Sequence, residues 1–159
     1  MAKKHAVEWI NLYRKLYGID AYILKFYNIY GPTSKKGAVY LFTKAVIDGE
    51  HVVVYGDGSH KRDFVHVNDI SKIIKRIANK EITPGDYEVG SGKPTSVLEL
   101  LNLVESISGK KLQVTYKDYP LDEAESLYAK DNGILDKYVD LEDGVREVYA
   151  HLVNEGKII

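Results

Sequence analysis

Apolar positions along the chain switch between two spacings. Over residues 2–17, Ala6, Trp9, Ile10, Tyr13, Leu16 and Tyr17 recur at three- and four-residue intervals, and Gly18 is a natural stop, so the spacing predicts a helix. Residues 21–27, Ala-Tyr-Ile-Leu-Lys-Phe-Tyr, predict a strand, and 28–37 a turn-rich loop. Helical spacing returns over 38–48 through Val39, Phe42, Val46 and Ile47, with Gly49 as its end. Val52–Tyr55 are strand formers, Gly56–Ser59 a turn, and Phe64–Val67 a second short strand. Asn68 or Asp69 is expected to cap a helix with Ile70, Ile73, Ile74 and Ile77 on one face. A turn at 83–85, a strand at 86–89 and a glycine loop at 90–94 follow. Ser96 and Glu99 form a capping box that opens a helix striped with Val97, Leu100, Leu101, Val104 and Ile107. A strand at 112–116 comes next, and residues 118–140 show no regular period. Asp140 and its neighbours open a last helix that buries Val145, Val148, Tyr149 and Leu152. Helices alternating with short strands indicate an α/β fold. No repeat, low-complexity tract or linker divides residues 1–159, which read as a single unit.

Composition narrows the classes. A net charge of −1, with Lys35-Lys36 and Lys110-Lys111 too short to make a basic stripe, argues against nucleic acid as a partner. The absence of cysteine excludes disulfides, thiolate metal sites and cysteine nucleophiles, and fits a cytoplasmic, reducing compartment. No run approaches the roughly 18 apolar residues of a membrane span, and no apolar signal core follows the N-terminal lysines. His5, His51, His60, His66 and His151 lack metal-ligand spacing, so no metal is expected. The 13 tyrosines against 3 phenylalanines suit pocket walls and interfaces, where one end of the ring is wet.

Few motifs carry chemistry unaided. Gly90-Ser91-Gly92-Lys93 resembles part of a phosphate loop, but Pro94 follows the lysine and Thr95 stands where a third glycine would. An ordinary strand-to-helix loop is the better reading. His66, between Val65 and Val67, reads as a strand residue at a polar boundary, and the Asp122, Glu123, Glu125 run as a solvated loop. Arg62-Asp63 allows two readings. A surface ion pair is the commoner one for these residue types, and a planar arginine contact with phosphate is the other.

Four segments in order carry a family resemblance: Lys25-Phe-Tyr-Asn-Ile-Tyr-Gly-Pro32, Val54-Tyr-Gly-Asp-Gly with Arg62-Asp-Phe-Val-His-Val-Asn-Asp69, Tyr87-Glu-Val-Gly-Ser-Gly92 with Ser96-Val-Leu-Glu-Leu100, and Leu141-Glu-Asp-Gly144. Together they resemble the C-terminal half of an extended short-chain dehydrogenase/reductase of the nucleotide-sugar epimerase/dehydratase type, with UDP-glucose 4-epimerases the nearest subgroup. The resemblance implies an incomplete Rossmann-type fold: the last helix and strands of the NAD-binding domain at 1–30, then the small α/β substrate-binding domain.

The same resemblance implies site residues. Lys4-His-Ala-Val-Glu8 fits the lysine of the family's catalytic Tyr-x-x-x-Lys, with the small residue and the glutamate usual after it; the tyrosine would fall just before Met1, with the glycine-rich NAD loop further upstream. Lys4 would bind the nicotinamide ribose and Phe26 would face the cofactor. Asn28 would contact the diphosphate or sugar, Ala38 and Val39 would line the pocket, Val53 and Tyr55 would frame the base, and Arg62 would bind the diphosphate. Two departures stand out. Lys25 replaces an arginine, and Pro120-Leu-Asp-Glu-Ala-Glu-Ser126 holds acids where the family's second phosphate arginine is expected. The expectations are that NAD serves the full-length family but is not bound by this chain alone, that the isolated chain does not turn over, and that it binds a nucleotide-diphosphate sugar. A separate N-terminal NAD-binding chain is a possible partner. With no such neighbour, Trp9 and the tyrosines of the first helix would be exposed and promote a homo-oligomer. The alternative is a non-catalytic binding or interaction module that has kept the fold and lost the chemistry.

Overall fold

A computed structural model describes residues 2–118, 126–130 and 133–156. The elements are α1 (Ala2–Tyr17), β1 (Tyr22–Phe26), β2 (Asn28–Tyr30), α2 (Ala38–Asp48), β3 (His51–Tyr55), β4 (Lys61–His66), α3 (Val67–Ala78), β5 (Gly85–Val89), β6 (Pro94–Ser96), α4 (Val97–Ser108), β7 (Gln113–Lys117), β8 (Ser126–Leu127) and α5 (Leu141–Glu155). The acidic run 122–125 and most of the stretch expected to carry a second phosphate arginine lie outside the described residues.

Strands pair in three sheets. β1 and β5 run parallel, Tyr22 beside Gly85 through Phe26 beside Val89. β3 and β7 run parallel, His51 beside Gln113 through Tyr55 beside Lys117. β4 is shared. Its first half lies between antiparallel β6 and parallel β8, and its second half pairs in parallel with β2. The mixture of parallel strands and helices is the expected α/β class.

Two apolar clusters result. The larger joins α2, α4 and α5 to β3 and β4 through Phe42, Val46, Val54, Phe64, Leu100, Val104, Val145 and Val148. The smaller joins α3 to β5 and the segment before α5 through Ile73, Val89, Ile134 and Leu135. By contrast α1 buries none of its residues, and Trp9 is 61 % and Tyr17 67 % exposed. Its rings make a ladder on themselves, Trp9 to Tyr13 at 6.4 Å and Tyr13 to Tyr17 at 5.2 Å. Arg14 ties its last turn to the sheet, donating to Asp86 Oδ1 at 2.6 Å, the Ala21 carbonyl at 2.5 Å and the Gly85 carbonyl at 3.0 Å.

The structure corrects several local expectations. β2 emerges inside the expected 28–37 loop, because Ile29 and Tyr30 find partners in Val65 and His66 that no local pattern announces. Helix α3 begins at Val67, and its cap is His66, whose Nδ1 accepts the Asn68 N–H at 3.3 Å. Asp69 instead sits buried in the first turn, accepting the Val139 N–H at 2.8 Å and the Lys72 ammonium at 2.8 Å. His66 is buried, not at a boundary, with its ring edge-on to Tyr30 at 5.1 Å. Ile74 faces out, since the buried stripe of α3 runs through Asp69 and Ile73. The capping box of Ser96 and Glu99 forms as expected, and Asp140 caps α5. Among the described residues no helix is long and apolar enough to cross a membrane.

Candidate functional site: the β2–β4 face and its flanks

Asn28 lies opposite Phe64 in the β2–β4 register. Alternation along β4 puts Arg62, Phe64 and His66 on one face and Asp63 and Val65 on the other. Asn28 therefore shares a face with Arg62, and strand spacing and rise put their Cα atoms roughly 8 Å apart. The Asn28 side-chain amide donates to the Asp63 carbonyl at 3.0 Å. Arg62 sits mid-sheet, with Thr95 of β6 on one side and Leu127 of β8 on the other. It is half-buried, and its guanidinium donates to the Lys61 carbonyl at 3.0 Å.

Asp63 is wholly buried. Its Oδ1 accepts the Ser91 N–H at 2.8 Å and the Ser91 hydroxyl at 2.6 Å; its Oδ2 accepts the Gly92 N–H at 2.9 Å and the Ala129 N–H at 3.0 Å. The glycine loop that failed as a phosphate cradle thus does bind an anion, an internal carboxylate. Gly90 has no room for a side chain, since a Cβ there would meet Asp63 and stand 2.8 Å from the Ala129 methyl. A similar close approach joins two of the segments that carried the resemblance, where a Cβ on Gly144 would run into the Tyr30 ring. Sequence patterning missed Asp63 and these two glycines; the only signal was glycine in segments otherwise rich in strand or helix formers.

Val53 and Tyr55 occupy the exposed face of β3, with Val52 and Val54 turned to the core. Ala38 and Val39 open α2. The Val39 side chain does not line an open pocket, however: it is buried in the larger cluster, because the first turn of α2 packs on α4 and α5. What this turn can offer a ligand is backbone. Gly37 precedes it and supplies no side-chain cap, and no acid stands in the first turn. A cleft of about 460 Å³ opens beside Phe64 and Thr95 and runs along residues 135–141; the candidate residues are not among those lining it.

Lys4 is exposed on α1, roughly 15 Å of helix from the Arg14 anchor, and Phe26 is exposed at the end of β1. Tyr27 Oη donates to Glu88 Oε2 at 3.3 Å. Burial first, and the Glu88 carboxylate second, push that phenol above its ordinary value. Burial pushes Tyr30 up further, with Asp69 adding to it. Neither phenol is tuned to give up its proton near neutrality.

Comparison with known proteins places the chain. The family model described as NAD dependent epimerase/dehydratase matches residues 1–90. The chain belongs to that family. A relative in Methanocaldococcus jannaschii is 30 % identical over 174 residues, spanning 99 % of this chain and 53 % of that protein. The UDP-glucuronate 4-epimerase of Thermodesulfobacterium geofontis is 30 % identical over 112 residues, 67 % of this chain and 33 % of the other. The solved UDP-glucose 4-epimerase of Thermotoga maritima, bound to UDP-glucose, superposes with a TM-score of 0.86 at 24 % identity, covering 97 % of this chain and 52 % of that one. That of Thermus thermophilus, bound to NAD, superposes at 0.80 with 25 % identity, covering 92 % and 50 %. The chain spans about half the length of the curated relatives it matches, or less. The fold is the Rossmann-type fold of these epimerases over that half.

Lys4 and Phe26, the two residues that the resemblance turns toward NAD, are both exposed. The glycine spacing that cradles a dinucleotide pyrophosphate does not occur in residues 1–159.

Proposed function

We propose that this chain forms the nucleotide-sugar-binding side of an NAD-dependent UDP-sugar epimerase/dehydratase and does not turn over by itself. The observation that carries the reading is the shared face of Asn28 and Arg62, joined through the Asp63 backbone. A guanidinium and a carboxamide at that spacing suit a diphosphate: the first gives charge-assisted bonds, each about 1.5–3 kcal/mol, and the second a neutral donor. The uncapped first turn at Ala38 and Val39 supports the same ligand, since helix N-termini favour anions. Val53 and Tyr55 would present an edge strand and a ring to the base.

NAD, when bound to the complete site, supplies the hydride acceptor. Lys4 would hold its ribose and Phe26 would lie against it. The raised phenols of Tyr27 and Tyr30 make neither a ready proton acceptor near neutral pH. The open α1 face would meet a separate N-terminal NAD-binding chain or a second copy of this one, and a monomer by light scattering at micromolar concentration would count against association.

Calorimetric titration with UDP and UDP-sugars tests the reading. Saturable binding that weakens in Arg62→Ala is expected; no binding, or binding indifferent to Arg62→Ala, overturns it. Turnover by the purified chain with NAD and a UDP-sugar would overturn the inactivity. The sequence Asp122, Glu123, Glu125, acidic where the resemblance expects a phosphate-binding arginine, favours the second reading, an interaction module without sugar-nucleotide chemistry. That reading predicts no heat with UDP.

A further inference from the structure

We infer that Asp63 is the positioning residue of the diphosphate site, setting both Asn28 and Arg62; this rests on the function proposed above. The two strands beside Arg62 are too short to hold themselves. β6 has three residues and β8 has two, and strands of that length pair weakly alone. Asp63 fastens both. Ser91 and Gly92, which lead into β6, and Ala129, just past β8, all donate to its one carboxylate. Arg62 is thus gripped between Thr95 and Leu127 by the side chain of the next residue.

Strand alternation adds an electrostatic consequence. The Asp63 charge points away from the Arg62 face and is met there by three N–H groups and a hydroxyl. The carboxylate therefore stiffens the strands on either side of Arg62 from the opposite face of the sheet. Its carbonyl, meanwhile, fixes the Asn28 carboxamide at 3.0 Å. Glycine at 90 is part of the same device, because a larger residue would displace Asp63.

Asp63→Asn keeps the shape but turns one acceptor oxygen into a donor, so it faces either the Ser91 pair or the Gly92–Ala129 pair with an N–H group. Coupling of the size found within one hydrogen-bond network predicts a loss on the order of tenfold in UDP affinity. Uridine, which lacks the phosphates, should bind Asp63→Asn as it binds the unmodified chain. In an Arg62→Ala background, Asp63→Asn should cost UDP affinity little more. Ser91→Ala removes one bond to Asp63 and keeps the fold, so a smaller loss in the same UDP-to-uridine ratio is expected. Asp69→Asn removes another buried carboxylate, the one that holds Val139, and should lower stability without moving that ratio.

Titrations of the full chain with UDP and uridine decide the matter. A ratio unchanged in Ser91→Ala and Asp63→Asn, while the unmodified chain binds UDP, overturns the positioning role alone. An equal loss of UDP affinity from Asp63→Asn with and without Arg62 overturns it as well. Failure of the unmodified chain to bind UDP removes the proposed function and this role together. If Asp63→Asn does not fold, Ser91→Ala carries the test.

Discussion

The α2–α4–α5 half of the molecule and the α1–β1–β5 edge are built from similar sequence patterns and end up in opposite states. Both have amphipathic helices with apolar residues at helical spacing. In the first half the stripes of three helices face one another, and Leu100, Val145 and Val148 lose all contact with solvent. At the edge α1 has the stripe but, among the described residues, no partner that buries it, and Arg14 bridges its last turn to the sheet through hydrogen bonds. An apolar stripe thus specifies that a helix wants a partner, but does not say whether the same chain supplies one.

The largest test of this contrast is a pair of truncations. Leu100→Ala should cost about 2–5 kcal/mol in urea unfolding, the range for deleting a fully buried leucine. Trp9→Ala, a larger deletion, should stay within about 0.5 kcal/mol, as exposed substitutions do. At a dilution where the chain is monomeric, equal costs would break the comparison; a cost for Trp9→Ala that appears only at higher concentration would report the association proposed above. Next in size is Gly144→Ala, which drives a methyl into Tyr30 within the closed half and should cost about 1–3 kcal/mol in thermal unfolding. Tyr30→Phe in the same chain should recover part of that loss, because Tyr30 Oη is nearest the added carbon and has no hydrogen-bond partner among the described residues.

The smallest effect is acid sensitivity. Hydrogen bonds from Ser96, the backbone N–H first and the hydroxyl second, hold the Glu99 carboxyl below its ordinary 4.5. For Glu105 burial pulls upward, but the Lys111 ammonium and the Leu112 N–H outweigh it and the carboxyl also ends low. A carboxyl lowered by folding binds fewer protons folded than unfolded near pH 4. Its contribution is therefore complete above the unfolded value and is lost as pH falls through the folded one. Stability followed from pH 6 to pH 3 should decline below about 4.5 in the unmodified chain, and Glu99→Gln should flatten that decline; an unaltered slope would assign the acid limb elsewhere.

Much of this architecture was legible along the chain. The bounds of α1 and α2, the Ser96 and Asp140 caps, and the α/β class rest on local chemistry: a 3.6-residue period, a side-chain oxygen three residues before a partner, a glycine that can turn left-handed. Those signals act between residues a few positions apart, so sequence alone contains them. The ordered motifs also named Asn28 and Arg62, and turned Arg62, which residue type alone leaves nearer an ion pair, toward an anion ligand. Tertiary structure decided what lies far apart in sequence. It made strands of Asn28–Tyr30, Pro94–Ser96 and Ser126–Leu127, which are too short for any period and exist only because β4 offers them its edges. It moved the α3 cap to His66 and sent the Val39 side chain into the core. Above all it converted Asp63 from a neighbour of Arg62 into the point where β4, the glycine loop and Ala129 meet. A buried carboxylate takes whatever N–H groups the fold brings to it, and those groups come from 28 to 66 residues away.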